Sequence, residues 1–300
     1  MAKHQPLSLT PTHPLKSEIY APGNYFLGIE DSIEIAVSRI RSAYTFSQQL
    51  GLGKLYICFS GGKDSLCLLG LCKRAFSPEH FLDYVEFHYN VTGIDHPELF
   101  YFIRDNFPFV SFDLPHTSIW ELSLHYLFPP TRLMRFCCSQ LKERGGQGRF
   151  CVTGVRWEES TGRKLKRSEF EADRLPLSSA SDMEKFLNND NSEDRREMEH
   201  CVPKEKYVVN PIIDWGEETV WRFIIQEGLP YCQLYDCGFH RLGCIGCPMD
   251  SHREEVLDLY PKFKRQWLRT MGKIIAARKE KGLRCDWNTP EEMYEWWIQG

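Results

Sequence analysis

Leu55-Tyr56-Ile57-Cys58-Phe59-Ser60-Gly61-Gly62-Lys63-Asp64-Ser65 is the stretch on which the architecture turns. Its first five residues are a short apolar run of the buried-strand type. The next six form a glycine-rich loop, and Leu66 to Lys73 reads as a helix. Glycines allow backbone angles denied to other residues, so main-chain N–H groups can converge on an anion. A helix N-terminus adds unpaired donors and a favourable dipole. Ser60 and Ser65 bring hydroxyl donors and Lys63 a point charge, while Asp64 orients the loop or helps hold magnesium between phosphates. The bland alternative is a glycine-rich strand-to-helix turn with no ligand. The spacing of a Walker loop, G-x-x-x-x-G-K-[ST], is absent.

Outward from the loop the alternation repeats. Upstream, Leu27 to about Leu50 has helical periodicity at Ile33, Val37, Ile40 and Tyr44, and Gly51 and Gly53 end it. Residues 1–24 read as an irregular arm, because Pro6, Pro11, Pro14 and Pro22 forbid a long helix. Downstream, the pattern predicts strands at Asp83–Tyr89, Phe109–Leu114 and Phe150–Val155, with helices at His96–Asn106 and Ile119–Leu127 between them. Helices between successive strands imply an α/β fold of Rossmann-like type: a parallel sheet with helices on both faces, linked by right-handed crossovers. Ligands of such sheets bind beyond the carboxyl ends of the strands, where this loop lies.

The region 25–231 reads as this nucleotide-binding domain, interrupted at about 163–206 by a polar insertion. An apolar segment, Tyr207 to Ile213, precedes a helix from Glu217 to Glu227, with Asp214 as its expected N-cap. Residues 232–300 form a cysteine-rich and helical segment, with Arg253 to Lys281 largely helical and the aromatic tail Tyr294-Glu295-Trp296-Trp297 read as core.

With 300 residues and 42% hydrophobic content, the chain can bury a core without disulfides. A net charge of −4 argues against a generally basic nucleic-acid binder. No run approaches the roughly 20 apolar residues of a membrane span, and Met1 to Pro14 does not resemble a signal peptide. The expectation is a cytoplasmic protein. Its twelve cysteines are then reduced thiols, some of them metal ligands.

Cys244-x-x-Cys247, with Cys237, makes a Cys-x6-Cys-x2-Cys array in a loop-like segment, a spacing that fits zinc or an iron–sulfur cluster. Cys58, Cys67 and Cys72 lie in the strand and helix around the loop and read as small core hydrophobes, as do Cys151 and Cys232. Cys201 and Cys285 are undetermined, and His240 reads as a surface or supporting residue. At another strand end, Gly154-Val155-Arg156 aims a planar guanidinium at the loop, suited to phosphate or sulfate oxygens. Arg163, Lys164, Lys166 and Arg167 extend the positive charge, though Lys164 and Lys166 read as solvated.

The loop resembles the S-G-G-x-D-S motif of PP-loop ATP pyrophosphatases, which cleave between the α and β phosphates. Three further segments follow in order: Arg135-Phe136-Cys137-Cys138 with Leu141-Lys142; Gly154-Val155-Arg156 with Glu159-Ser160 and Arg163; and Asn210-Pro211-Ile212 with Asp214-Trp215 and Val220-Trp221. Together they resemble the phosphoadenosine phosphosulfate (PAPS) reductase family, of the adenine nucleotide alpha hydrolase-like superfamily, over about residues 50 to 250. The resemblance implies ATP or PAPS as ligand with Mg2+, held by Ser60, Gly61, Gly62, Lys63, Asp64, Ser65, Gly154, Arg156 and Arg163, with Lys63, Asp64 and Arg156 catalytic. It favours a 4Fe-4S cluster over zinc. Iron–sulfur adenylylsulfate reductases pair adjacent cysteines, as at Cys137-Cys138, with a later Cys-x-x-Cys, whereas relatives in DNA phosphorothioation resemble the Cys-x6-Cys-x2-Cys array. Five candidates, Cys137, Cys138, Cys237, Cys244 and Cys247, thus compete for about four positions.

One departure stands out. Thiol-dependent members of the family carry a C-terminal Glu-Cys-Gly-(Ile/Leu)-His motif; Asp286 to Gly300 lacks it, and the similar Asp236-Cys237-Gly238-Phe239-His240 lies upstream of Cys244. The resemblance therefore implies ATP-dependent sulfur transfer, with a sulfur donor such as a cysteine desulfurase or thiol protein and a nucleic-acid phosphate among the acceptors it suggests. The alternatives are reduction of PAPS or adenylylsulfate to sulfite, and a nucleotide-responsive binding subunit without turnover.

Overall fold

The computed structural model describes residues 7–11, 14–20, 29–143, 145–172 and 206–299. Most of the polar stretch expected at about 163–206, including Cys201, and parts of the N-terminal arm lie outside the described residues.

A short helix α1 (Lys16–Ile19) and the long α2 (Glu30–Gln49) precede the first strand, β1 (Leu55–Cys58). Then follow α3 (Lys63–Phe76), β2 (Val85–Asn90), α4 (Pro97–Asn106), β3 (Ser111–Asp113), α5 (Ile119–His125), α6 (Phe136–Leu141) and β4 (Phe150–Val152). The later elements are α7 (Thr161–Lys166), β5 (Phe170–Ala172), β6 (Tyr207–Val209), α8 (Glu217–Gln226), α9 (Arg253–Leu259), α10 (Pro261–Glu280) and α11 (Pro290–Gln299).

The strands form one sheet in the order β3-β2-β1-β4-β6-β5, parallel throughout except for the antiparallel edge strand β5. Helices flank it. From β1 the chain steps outward to β2 and β3, then returns to lay β4 on the other side of β1. The crevice between the ends of β1 and β4 is therefore the switch point at which ligands of such sheets bind. Side chains alternate across the pleat. Leu55, Ile57 and Phe59 join Val85, Phe87 and Tyr89 in the main core, whereas Tyr56 meets Cys151 and Val208 in a small second cluster.

The expected periodicity of α2 holds, with Ile33, Val37 and Ile40 fully or almost fully buried. Helix α3 packs against both α2 and α8, which explains why nearly all of Leu66–Cys72 is buried. Gly70 permits the second contact: a Cβ there would lie 2.7 Å from Phe223 Cε1 and 3.1 Å from Leu229 Cδ1. Gly70→Ala should therefore destabilise by about 1–3 kcal/mol through overpacking, outweighing the roughly 0.5–1 kcal/mol that alanine gains in a helix. The check is a lower urea midpoint at unchanged slope; an equal or higher midpoint would show that Phe223 has room to move.

One sequence expectation needs correction: Asp214 does not cap α8. Gly216 takes the N-cap position, and the amide of Glu217 donates to Glu158 Oε2 at 2.6 Å, while Asp214 accepts from Arg39 at 2.9 Å. Arg253 to Lys281 is largely helical as expected, in two helices, α9 and α10. Between them Tyr260 precedes Pro261 and sits at φ −119°, ψ 67°, outside the helical region that a following proline disfavours. The aromatic tail packs inward: Trp297 is 1% exposed, lies 4.8 Å from Trp267 and donates its indole N–H to Pro130 O. Trp267 in turn meets Trp120 of α5. Among the described residues no helix is long and apolar enough to cross a membrane.

Candidate functional site

The loop after β1 holds its shape through one glycine and its own serines. Gly61 has φ +70°, and a Cβ there would come within 2.6 Å of Ile103 and 2.9 Å of Leu99. The amide of Ser60 donates to Ser65 Oγ at 3.2 Å, and Ser65 Oγ donates to Gly62 O at 2.9 Å. Helix α3 begins at Lys63 with Gly62 as N-cap, so the amides of its first turn have no partners within the helix. That of Lys63 donates to Tyr235 Oη at 2.9 Å; those of Asp64 and Ser65 have no acceptor among the described residues. These amides open at the switch point.

The end of β4 closes on this loop. A Cβ on Gly154 would lie 3.1 Å from the main chain of Asp64, so the glycine permits the approach. Two residues on, Arg156 is 3% exposed: Nε donates to Asp64 Oδ1 at 2.6 Å, and Nη1 to Glu158 Oε2 at 2.7 Å and to Trp215 O at 3.2 Å. Burial opposes its charge, but Asp64 and Glu158 outweigh that and raise its pKa. Arg156 thus reaches the loop as expected, and there it holds Asp64. The chain brings Arg163 nearby on α7, ion-paired with Glu159. Burial, then Arg241 and Arg167, lower its pKa, and Asp64 acts in the opposite sense. Lys164 and Lys166 are exposed, as their bland reading predicts.

Lys63 points elsewhere than a free phosphate ligand would. Its side chain is buried, Nζ donates to His240 O at 2.7 Å, and it lies 5.6 Å from the centre of the Tyr235 ring and 3.9 Å from Glu217. The segment 232–240, distant in sequence, therefore rests on the loop.

The structure separates the five candidate cysteines into four and one. Cys137 on α6 has Cys138, Cys244 and Cys247 as its electrostatic neighbours. Interaction with the neighbouring Cys137 thiol, with the charges of Arg135 and Lys142, pushes Cys138 down to about 5, whereas the same interaction and burial push Cys137 up. Burial pushes Cys244 up to about 11, with Lys142 opposing. Cys244 is also stitched to the loop after β2: it bridges Asp95, its neighbour Ile245 donates to Ile94 O at 2.7 Å, and its thiol donates to Thr92 Oγ1 at 3.6 Å. Cys237 is not with them. It is fully buried beside Asp236 and Glu98, and burial raises its pKa.

Among the described residues no three His, Cys, Asp or Glu side chains stand close enough to hold a single metal ion. A polynuclear cluster draws its thiolates from farther apart, and four thiols beside Arg135 and Lys142 suit its net negative charge. Cys67 and Cys72 are fully buried core thiols, as expected. Sequence reasoning missed Tyr235 and gave Lys142 no role. Nothing local marks a tyrosine in an irregular segment, but Lys142, four residues after the cysteine pair, lay in a motif already quoted.

The family profile "Phosphoadenosine phosphosulfate reductase domain" matches residues 54–250. An uncharacterized protein of Methanocaldococcus jannaschii is 22% identical over 267 residues, 84% of this chain and 50% of that protein. The adenosine 5'-phosphosulfate reductase of Salinibacter ruber is 28% identical over 155 residues, 46% of this chain and 60% of the reductase. The chain thus spans half the length of the first of these curated relatives and less than two thirds of the second. A crystal structure of phosphoadenylyl-sulfate (PAPS) reductase from Candida auris, in complex with phosphate, aligns with TM-score 0.42 and 14% identity over 73% of this chain and 97% of its own.

Proposed function

Because the chain belongs to the phosphoadenosine phosphosulfate reductase family, we propose that it is an enzyme that binds ATP at the crevice between β1 and β4 and uses adenylation to drive sulfur transfer. The observation that carries this reading is the pair of open first-turn amides at Asp64 and Ser65, set at the switch point with Asp64 held by Arg156. In the reaction an acceptor oxygen attacks the α-phosphorus, the α–β anhydride bond breaks, and pyrophosphate leaves. A sulfur nucleophile then displaces AMP from the adenylated acceptor. Adenylation converts a poor leaving oxygen into a good one, which is why ATP is consumed.

The loop amides would stabilise charge growing on the departing pyrophosphate, since preorganised donors need not reorient as the bond breaks. Asp64 Oδ2 accepts no hydrogen bond among the described residues, so it is the oxygen that would meet a magnesium ion bound chiefly by the phosphates. Cys137, Cys138, Cys244 and Cys247 would hold a 4Fe-4S cluster, which supplies one-electron storage when bound. Arg135 and Lys142 offset the negative charge of the thiolates. The acceptor would be an anionic group such as a nucleic-acid phosphate, with a cysteine desulfurase or thiol protein as sulfur donor.

A second reading, reduction of PAPS or adenylylsulfate to sulfite, is favoured by one observation: the thiols that converge are the adjacent pair and the Cys-x-x-Cys. Anaerobically purified protein, offered ATP or a sulfonucleotide with a thiol, separates the two. The first predicts AMP and pyrophosphate from ATP; sulfite from the sulfonucleotide with ATP untouched would replace it with the second. Nucleotide binding without either product would leave a binding subunit.

A further inference from the structure

Among the described residues, the amide of Lys63 is the one first-turn donor of α3 whose acceptor is a side chain from far along the sequence. Tyr235 lies in the short 3-10 turn Gln233–Cys237, yet its hydroxyl accepts from Lys63 N–H at 2.9 Å. A Cβ on Gly62 would lie 3.3 Å from Tyr235 Oη, so the hydroxyl sits directly above the glycine of the loop. The ring is 2% exposed and edge-on to Trp221, with centres 4.9 Å apart, which fixes its orientation.

A phenol hydroxyl has one proton to donate and can accept as well. Here the acceptor side is taken by Lys63, and the proton has no acceptor among the described residues. Burial, with Asp64 adding, raises the pKa and keeps the group a neutral donor. A buried donor over an anion loop, beside two open amides, has the chemistry that binds an oxyanion.

We infer that Tyr235 is a binding residue for the pyrophosphate portion of the nucleotide, its hydroxyl oriented by the Lys63 amide and donating to a β- or γ-phosphate oxygen. This rests on the nucleotide reading of the loop. The residue comes from the cysteine-rich segment, which also accepts from Lys63 Nζ through His240 O. Residues 233–240 therefore form the upper wall of the phosphate site.

The test is Tyr235→Phe, which keeps the ring and removes only the hydroxyl. Calorimetric titration with ATP, inorganic pyrophosphate and AMP should show ATP and pyrophosphate affinity falling about 10- to 100-fold, as expected for a hydrogen bond to a charged group. AMP affinity should stay within about 3-fold of wild type, because its phosphate is the α one. Equal loss for ATP and AMP would mean that the hydroxyl only shapes the loop, and no loss for ATP would mean that it touches no phosphate; either overturns the inference while sparing the nucleotide site. Wild-type protein that bound neither ATP nor pyrophosphate would sink the nucleotide reading itself, and this inference with it.

Discussion

Replacing Arg156 by methionine should reduce turnover by at least about 100-fold and lower the unfolding free energy by about 2–4 kcal/mol. The guanidinium is 3% exposed and joins three partners: Asp64 at 2.6 Å, Glu158 at 2.7 Å and the carbonyl of Trp215 at 3.2 Å. Removing one member of a buried pair typically costs about 3–5 kcal/mol, because the other charge is left without compensation. Asp64 is 27% exposed and Glu158 more so, so water recovers part of that cost and the lower range applies. The effect on turnover has a separate origin, since Asp64 loses the contact that aims its carboxylate across the loop. Arg156→Lys keeps the charge but cannot span both carboxylates, and it should fall between the two. Urea unfolding and AMP release, measured on one preparation, decide the case. Lost stability with intact turnover would reduce Arg156 to a structural ion pair.

Serine at Cys137, Cys138, Cys244 or Cys247 should each remove the bulk of the bound iron and sulfide from anaerobically purified protein, whereas Cys237→Ser should retain both. The argument is convergence. The first four thiols share one neighbourhood, while Cys237 is sealed beside Asp236 and Glu98. A hydroxyl is a poor replacement for a thiolate toward iron, so a single loss is enough to empty the site. Metal analysis of the five variants provides the readout. Loss on Cys237→Ser with retention on Cys137→Ser would reinstate the Cys-x6-Cys-x2-Cys array, and zinc without sulfide would replace the cluster with a mononuclear ion.

The sheet and its loop were legible because local signals agreed. The run Leu55–Cys58 is a strand with Leu55, Tyr56 and Ile57 buried, the glycines follow soon after, and the spacing Ile33, Val37, Ile40 repeats on one helix face. The break at Tyr260–Pro261 was also readable, since proline restricts the residue before it. Other features depended on distant partners. Asp214 had the right chemistry for an N-cap, but Arg39, 175 residues away in sequence, binds it, and Glu158 serves the helix instead. Cysteine spacing could not rank Cys237 against Cys137 and Cys138, because the outcome depends on Ile245 pairing with Ile94. For Tyr235 the deciding contact is with Lys63, and no local pattern encodes it.

The pairing of Cys244 with Asp95 carries an implication for how the chain reaches this state. It joins the loop after β2 to a segment about 150 residues later, and the adjacent cysteines on α6 belong to neither. Such long-range pairings form slowly, after nearby helices and strands have condensed. Until then these sulfurs are unsheltered and open to oxidation into mispaired species. Denatured chains diluted into aerated buffer should therefore recover poorly, and the yield should rise with a reductant present from the start.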